Sequence, residues 1–492
     1  MGRDIDSTAF TAQERSRYRG KVKADLAALR RLVEERWLGT GEPSMGLELE
    51  LYIIDGHGRP MPVNAEVLDR LPAKAFQTEL AQFNLEIDLP PQPLVGGALT
   101  TVERALRAAV LDAESAARDV GARVLLIGIL PTLRPDDATE RNLSSNPRYR
   151  ALNDAIVAAR GEDITIRIDG PESVEVASSS IVYEAACTSL QLHLDVGPND
   201  FARYWNAAQA LAAPLVACAA NSPLFLAREL HHETRIALFE QAIDTRPEEL
   251  SRQGVRPRVW FGERWLTEGV FELFDENVRY FPALLPLCSD EDPAAELAAG
   301  RAPELPELTL HNGTVYRWNR PVYAVRDGVP YLRIENRILP SGPTAVDALA
   351  NAALFYGLVR ALADDARPVW EDMAFTTAET NFFVASRDGL DARLAWPGAG
   401  DEVPVAALLA ERLLPRAREG LGAWGVIPSD VDRLVGILEG RVASRRNGAQ
   451  WQIDAFRRAR AQGRARADAA ADVVERYAEQ SGTGRPVHTW ED

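Results

Sequence analysis

Period-two alternation of apolar and polar residues marks four short strands along this chain. In residues 45–52 (MGLELELY), Gly46, Glu48, Glu50 and Tyr52 fall on one face and Met45, Leu47, Leu49 and Leu51 on the other, the pattern of a strand with one buried side. Residues 83–89 (FNLEIDL) set Asn84, Glu86 and Asp88 against Phe83, Leu85, Ile87 and Leu89. Residues 189–196 (SLQLHLDV) set Ser189, Gln191, His193 and Asp195 against Leu190, Leu192, Leu194 and Val196. Residues 331–338 (YLRIENRI) present Tyr331, Arg333, Glu335 and Arg337 together. Glu79 precedes the second strand, in a turn of helix leading into it. Taken singly, each segment reads as an antiparallel strand with a solvated face.

Helical spacing fills much of the remaining chain. Residues 1–38 read as a polar helical lead-in. A helix opens at Thr100, where Thr100 and Glu103 have capping-box spacing, and it stops at Gly121. Another, over about residues 200–220, closes at Ser222-Pro223, and one begins at Thr344 after Gly342-Pro343. From about residue 400 to Gln480 the pattern is helical. Segments 286–308 and 391–404 read as surface loops. The sum is an α+β chain with a lead-in over 1–38, one large domain over 39–365 and a mainly helical region over 366–492 packed on it.

Charge and composition narrow the function. Asp+Glu number 72 against 55 Lys+Arg, a net charge of −17, which argues against nucleic acid or an anionic membrane as partner. Cys187, Cys218 and Cys288 are scattered, with no CxxC pair, which fits a reducing compartment. The first ten residues, MGRDIDSTAF, are polar and acidic, unlike a secretory signal. The longest apolar stretch, residues 207–220, is broken by Gln209 and Pro214 and is too short to span a bilayer. A cytoplasmic protein is expected. Lysine occurs only as Lys21, Lys23 and Lys74, so an arginine by itself marks nothing.

The candidate chemistry comes from the four strands together. Carboxylates that face the same way repel one another unless a cation lies between them. Glu, Asp, Gln and one His form an oxygen-rich set suited to Mg²⁺ or Mn²⁺ rather than Zn²⁺. No GxxxxGK[ST] loop, no GxGxxG after a strand, no GxSxG and no HExxH occurs. Cys187 reads as structural, His231-His232-Glu233 as a surface turn, and Tyr316, Trp318 and Tyr323 as core. Arg235 and Arg246 bracket an amphipathic segment and are either solvated helix-end charges or phosphate contacts.

The segments MGLELELY, TELAQFNLEIDLPP, CTSLQLHLDV, ANSPLF, RIALFEQAIDTR, YLRIENRILPSGPT and RRNGAQWQ, spread over about residues 44–455, resemble the glutamate–cysteine ligase and carboxylate–amine ligase family of the glutamine synthetase and guanidino kinase fold group. The resemblance implies a curved, mostly antiparallel sheet forming a half-barrel funnel with helices outside, ATP at one end as co-substrate, and two or three Mg²⁺ (Mn²⁺ as the alternative) on the funnel floor. It makes Glu48, Glu50, Glu79, Glu86, His193 and Glu335 the metal ligands. Arg337 becomes the contact to the transferring phosphate, Arg333 a partner for phosphate or for the substrate carboxylate, and Arg235 a further phosphate contact. Gln191, His311 and Arg320 are the candidates for substrate binding, the last two from the polar, aromatic segment 311–320.

In that family a substrate carboxylate attacks the γ-phosphate of ATP to give an acyl phosphate, which an amine then converts to an amide. Three readings follow. The leading one joins the γ-carboxylate of L-glutamate to the amine of L-cysteine, giving γ-glutamylcysteine, ADP and phosphate. The second keeps the chemistry with another amine in a biosynthetic pathway. The third is a degenerate binding or regulatory protein, or a phosphotransferase. Partners are small molecules only (ATP, an amino acid and an amine), with room for a homo-oligomer.

Overall fold

The computed structural model of the chain describes residues 10–39, 43–398, 400 and 402–491. Its main sheet comprises β1 (Ser44–Ile54), β2 (Phe76–Thr78), β3 (Asn84–Pro93), β4 (Arg123–Leu125), β5 (Ser189–Asp195), β6 (Asn319–Arg326) and β7 (Val329–Pro340). The order is β6-β7-β5-β1-β3-β2, with β4 pairing the far end of β1, and every pairing is antiparallel. The sheet curls into a half-barrel with helices packed on it, as expected.

Register carries the alternation from strand to strand. Glu50 lies opposite Glu86, Glu48 opposite both Asp88 and Gln191, His193 opposite both Gly46 and Glu335, and Glu335 opposite Arg320. A slip of one residue would turn a strand's faces over, so these pairings put all four polar faces on one side. The other side is apolar: Leu49, Leu51, Leu85, Ile87, Leu190, Leu192 and Leu194 are fully buried.

Three helices matter for the site: α1 (Ala12–Glu34), α2 (Ala98–Arg118) and α3 (Ala345–Ala363). α3, which Thr344 caps through its hydroxyl to Asp347 N (3.2 Å), is apolar all round. It is long and apolar enough to cross a membrane, yet 94% of that stretch is buried inside the protein, the composition of a central core helix. The Tyr356 hydroxyl on α3 lies 3.0 Å from His193 O and 3.1 Å from Gly46 O, which ties the helix to β5 and β1. On α1, buried Asp25 accepts from the backbone N of Glu307 (3.1 Å) and Leu308 (3.0 Å), so the N-terminal helix caps the helix Pro306–Gly313.

Several expected elements differ. The lead-in forms α1 with a Thr11–Glu14 capping box, while residues 1–9 lie outside the described residues. Thr100 makes no capping box: α2 begins at Ala98, and Thr100 N and Oγ1 donate to Asp430 Oδ2 (3.0 Å) and Oδ1 (2.5 Å) on the helix Pro428–Ser444. Glu103 pairs instead with Arg107 and Arg433; tertiary packing has overridden the local signal. The helix near 200–220 is two, Phe201–Ala210 and Ala212–Ala219.

Segment 286–308 holds the helix Pro293–Ala298, whose start was legible in Asp292-Pro293: the Asp292 side chain accepts from Ala294 N and Ala295 N. In segment 391–404, Arg393–Leu394 pairs with Val403–Pro404, and residues 399 and 401 lie outside the described residues. Glu79 follows the short strand β2 rather than a helical turn. Glu233, expected in a surface turn, is fully buried.

Candidate active site

The polar faces of β1, β3, β5 and β7 converge on one cleft of about 660 Å³. Glu48, Glu86, His193 and Glu335 line it, and Glu50 is the cross-strand neighbour of Glu86. Glu50 Oε2 accepts from Ser189 N (2.7 Å), and its Oε1 accepts from Ser189 Oγ (3.0 Å) and Gln191 Nε2 (3.0 Å). Oxygens of Glu50, Glu79 and Glu86 all lie within 4.8 Å of one another. Burial and then mutual repulsion push these carboxyls up: Glu50 to about 8, with Glu79 as the chief neighbour, and Glu79 to about 7, with Glu184 as the chief neighbour. Glu86 is raised well above the usual range, by burial and then Glu79. Three buried carboxyls that resist ionising together fit a hard divalent cation, whose charge replaces the protons.

A second group lies one register step along the sheet. His193 Nε2 is 2.9 Å from Glu48 Oε1. Arg320 grips Glu335 with both ends of its guanidinium, Nε to Oε2 and Nη2 to Oε1, each at 2.8 Å. Arg337 Nη1 also donates to Glu335 Oε1 (2.6 Å) and to Gln191 Oε1. Burial works against the charge on Glu335, but Arg320 and then Arg337 outweigh it and hold this carboxyl far below the usual range. Burial likewise opposes, and the His193 ring overcomes, to hold Glu48 down. Arg333 reaches the cleft from β7, its buried Nε has no protein partner, and its charge acts on Glu48 and Asp88.

Every carboxylate singled out in the sequence, with His193, Arg320, Arg333 and Arg337, therefore belongs to one connected site. Three expectations need correction. Arg235 faces away from the cleft: its Nε donates to Glu233 Oε1 (3.0 Å), and its other nitrogens reach the backbone carbonyls of Arg337 (3.4 Å) and Ile338. Its guanidinium is spent inside the protein, with nothing left for a phosphate. His311 is buried at the end of its helix with Nε2 3.0 Å from Asn277 O, and burial lowers it to about 4. Gln191 uses both ends of its amide to bridge Glu50 and Arg337, so it orders the site rather than reaching a substrate.

Two further residues escaped the sequence reading. Glu184, in the 3-10 turn Ile181–Ala186, is raised to about 8 by burial and then by Glu50. It forms a fourth acid beside the trio, and the turn carries no alternation to reveal it. Arg148 lines the cleft from the first turn of the helix Pro147–Arg160. The Asn146-Pro147 start of that helix was readable, but its proximity to the site was not.

Comparison with known proteins gives the family and the fold. A family model described as glutamate-cysteine ligase family 2 matches residues 44–467, from the first residue of β1 to the start of the helix Arg466–Gly482. A Salinispora tropica protein named "Putative glutamate–cysteine ligase 2" is 25% identical over 376 residues, which is 75% of this chain and 80% of that protein. Among solved structures, the glutamate–cysteine ligase of Francisella tularensis in complex with AMP is similar with a TM-score of 0.54 at 12% identity, over 90% of each chain. That last likeness is one of fold.

Proposed function

We propose, from the premise that this chain belongs to glutamate–cysteine ligase family 2, that it is an ATP-dependent ligase joining the γ-carboxylate of L-glutamate to the amine of L-cysteine. The observation that carries the reading is the cluster of three carboxyls, Glu50, Glu79 and Glu86, beside a cleft that Glu86 and Arg333 line and that Arg337 adjoins through Glu335. Oxygen ligands alone favour Mg²⁺, which the trio would hold, with Glu48 and His193 beside it for a second ion and Glu335 already engaged by Arg320 and Arg337. When bound, Mg²⁺ neutralises phosphate oxygens and makes the γ-phosphorus easier to attack.

The chain's own groups do the rest by placement. The glutamate carboxylate oxygen attacks the γ-phosphorus, the bond to the β-bridging oxygen breaks, and ADP leaves. The amine nitrogen then attacks the acyl carbon and loses a proton, and phosphate departs. Arg337 is aimed by Glu335 and Gln191 and is suited to the charge that builds on the transferring group. Arg333, whose Nε has no protein partner, is suited to a second phosphate oxygen or a substrate carboxylate. No nucleophilic side chain is needed. Buried Cys187, its Sγ against the carbonyls of Tyr183 and Arg235, takes no part. The three cysteines are free, in keeping with a cytoplasmic setting.

An ADP-release assay with Mg-ATP and L-glutamate against a panel of amines, with mass detection of products, tests the reading. Amide formation with L-cysteine alone is the expected result. Turnover with another amine transfers the assignment to that amine, and no ATP turnover with any acid refutes the ligase assignment.

A further inference from the structure

The β7–β5 ladder is interrupted at one place. Asn336 pairs with Leu192 and Leu339 with Leu190, so Arg337 and Ile338 together span the single residue Gln191. Such a bulge takes backbone groups out of the ladder and re-aims a side chain. The two carbonyls it frees are the ones that receive the Arg235 guanidinium. Arg337, the side chain set by this irregularity, is the one that reaches Glu335 and Gln191 in the cleft.

Behind Arg235 lies a continuous chain of buried hydrogen bonds. Glu233 takes Arg235 Nε on Oε1 (3.0 Å) and the backbone N of Asn221 on Oε2 (2.8 Å). Asn221 donates from Nδ2 to Ser341 O (2.7 Å) and to the Tyr477 hydroxyl (2.8 Å). It accepts from Gln452 Nε2 on both its side-chain oxygen (3.0 Å) and its backbone carbonyl (3.1 Å). Ser341 Oγ in turn donates to Glu50 O (2.6 Å). Asn221, Glu233, Gln452 and Tyr477 are fully buried and Arg235 nearly so.

The sequence around these residues is shaped to the contact. A Cβ on Gly448 would stand 2.0 Å from Asn221 Oδ1, so only glycine lets the helix Gly448–Ala461 lie against Asn221. Asn447 caps that helix and also donates to Ala217 O (3.0 Å), and Ala449 N donates to Ala220 O (2.8 Å). The motif RRNGAQWQ thus docks the C-terminal helices onto the segment that begins the relay.

We propose that Arg235 is a positioning residue which fixes Arg337 through the bulge carbonyls, and that Gln452 and Tyr477 of the C-terminal helices hold it there through Asn221 and Glu233. Buried polar networks rigidify what they hold as their members are satisfied; in this one the Gln452 amide nitrogen is engaged by Asn221 while its Oε1 has no partner. Shifting a reacting group by about 1 Å can cost about 10²-fold in rate. The C-terminal region is accordingly part of the phosphate-handling apparatus without touching a substrate. The kinetic arm of the test rests on the ligase reading; the exchange arm does not.

The test uses the full chain with Arg235→Gln, Arg235→Lys, Gln452→Leu and Tyr477→Phe, the last two leaving the central ion pair intact. Hydrogen–deuterium exchange is read at residues 335–339 and, as control, at 47–51. The relay predicts faster exchange at 335–339 in Gln452→Leu and Tyr477→Phe with the control unchanged; unchanged exchange at 335–339 overturns it.

In steady-state kinetics kcat falls, by roughly 10²-fold in Arg235→Gln, with partial recovery in Arg235→Lys and KM for ATP held within about threefold. An effect led by KM for ATP would show Arg235 touching phosphate and overturns the proposal. So does a lowered Tm with normal kcat, which is a merely structural role. Should the wild type turn over no ATP, the ligase reading fails and the exchange result alone decides the relay.

Discussion

A Cβ placed on Gly46 would stand 3.2 Å from the Cβ of His193, the residue directly opposite it in the β1–β5 pairing. The glycine of G-x-E-x-E is thus the space that the His193 ring occupies on its way to Glu48. Gly46→Ala should push the ring off its 2.9 Å contact with Glu48 and cut kcat/KM by roughly 10-fold or more, since small displacements of a reacting constellation are costly. The far-ultraviolet circular dichroism should be unchanged. Wild-type kinetics in this variant would refute the placement of His193 in the working site.

Glu335 carries the countercharge for both Arg320 and Arg337. Glu335→Gln keeps the shape and removes the charge, so activity should fall by at least about 10²-fold. Leaving two buried guanidiniums without their acid should also lower stability, by about 3 kcal/mol. Steady-state ADP release and a urea melt measure the two effects. Near-normal turnover would show that Glu335 is not part of the machinery.

The acid cluster predicts an inverted pH dependence. Glu50 (about 8), Glu79 (about 7) and Glu184 (about 8) all titrate above the ordinary carboxylate value when folded. Between the ordinary value and these raised ones, the native state binds more protons than the unfolded chain, so stability declines as pH increases. The contribution is complete below about pH 4.5 and lost as pH rises through about 7 to 8. In EDTA, Tm should drop between about pH 6 and pH 8.5, and millimolar Mg²⁺ should restore it more at the higher pH. A Mg²⁺ effect independent of pH would show that the cation does not displace these protons.

Glu184 gives the cluster a sign test. In metal-free protein it adds a fourth acid to three that already repel, so Glu184→Gln should raise Tm in EDTA while weakening the Mg²⁺ response. Most substitutions of buried residues destabilise, so a gain without metal and a loss with it is hard to obtain by accident. Thermal melts across a Mg²⁺ titration check it.

Arg333 sits in the cleft with its Nε unpaired by any protein group. Arg333→Ala should therefore leave Tm nearly unchanged and raise KM for ATP or for glutamate by roughly 10-fold or more. Kinetics with each substrate varied in turn identify which of the two it holds.

The sheet was legible because its evidence is local. Alternation at 45–52, 83–89, 189–196 and 331–338 fixes which residues share a face, and antiparallel register then brings Glu50 to Glu86 and Glu335 to His193 without further information. What failed was whatever depends on partners distant in sequence. Arg235 looked like any helix-end arginine, and only the fold reveals Glu233 and the bulge carbonyls around it. His311 looked polar and available, yet Asn277 and the core claim it. Glu184 lies in a turn with no periodicity, and Thr100 carried a sound local capping signal that Asp430 displaced.

That displaced cap bears on how the chain reaches its fold. The acid that closes the amino end of α2 lies 330 residues further along, and β6 and β7 join β5 only after more than a hundred intervening residues. A nascent chain released before residue 430 has α2 with open amide groups and α3 without the helix Pro428–Ser444 that packs on it. Contacts of such long sequence separation make folding slow and leave apolar surface exposed in the meantime. Fragments ending before the helix Pro428–Ser444 should therefore aggregate rather than fold, however complete their acidic strands.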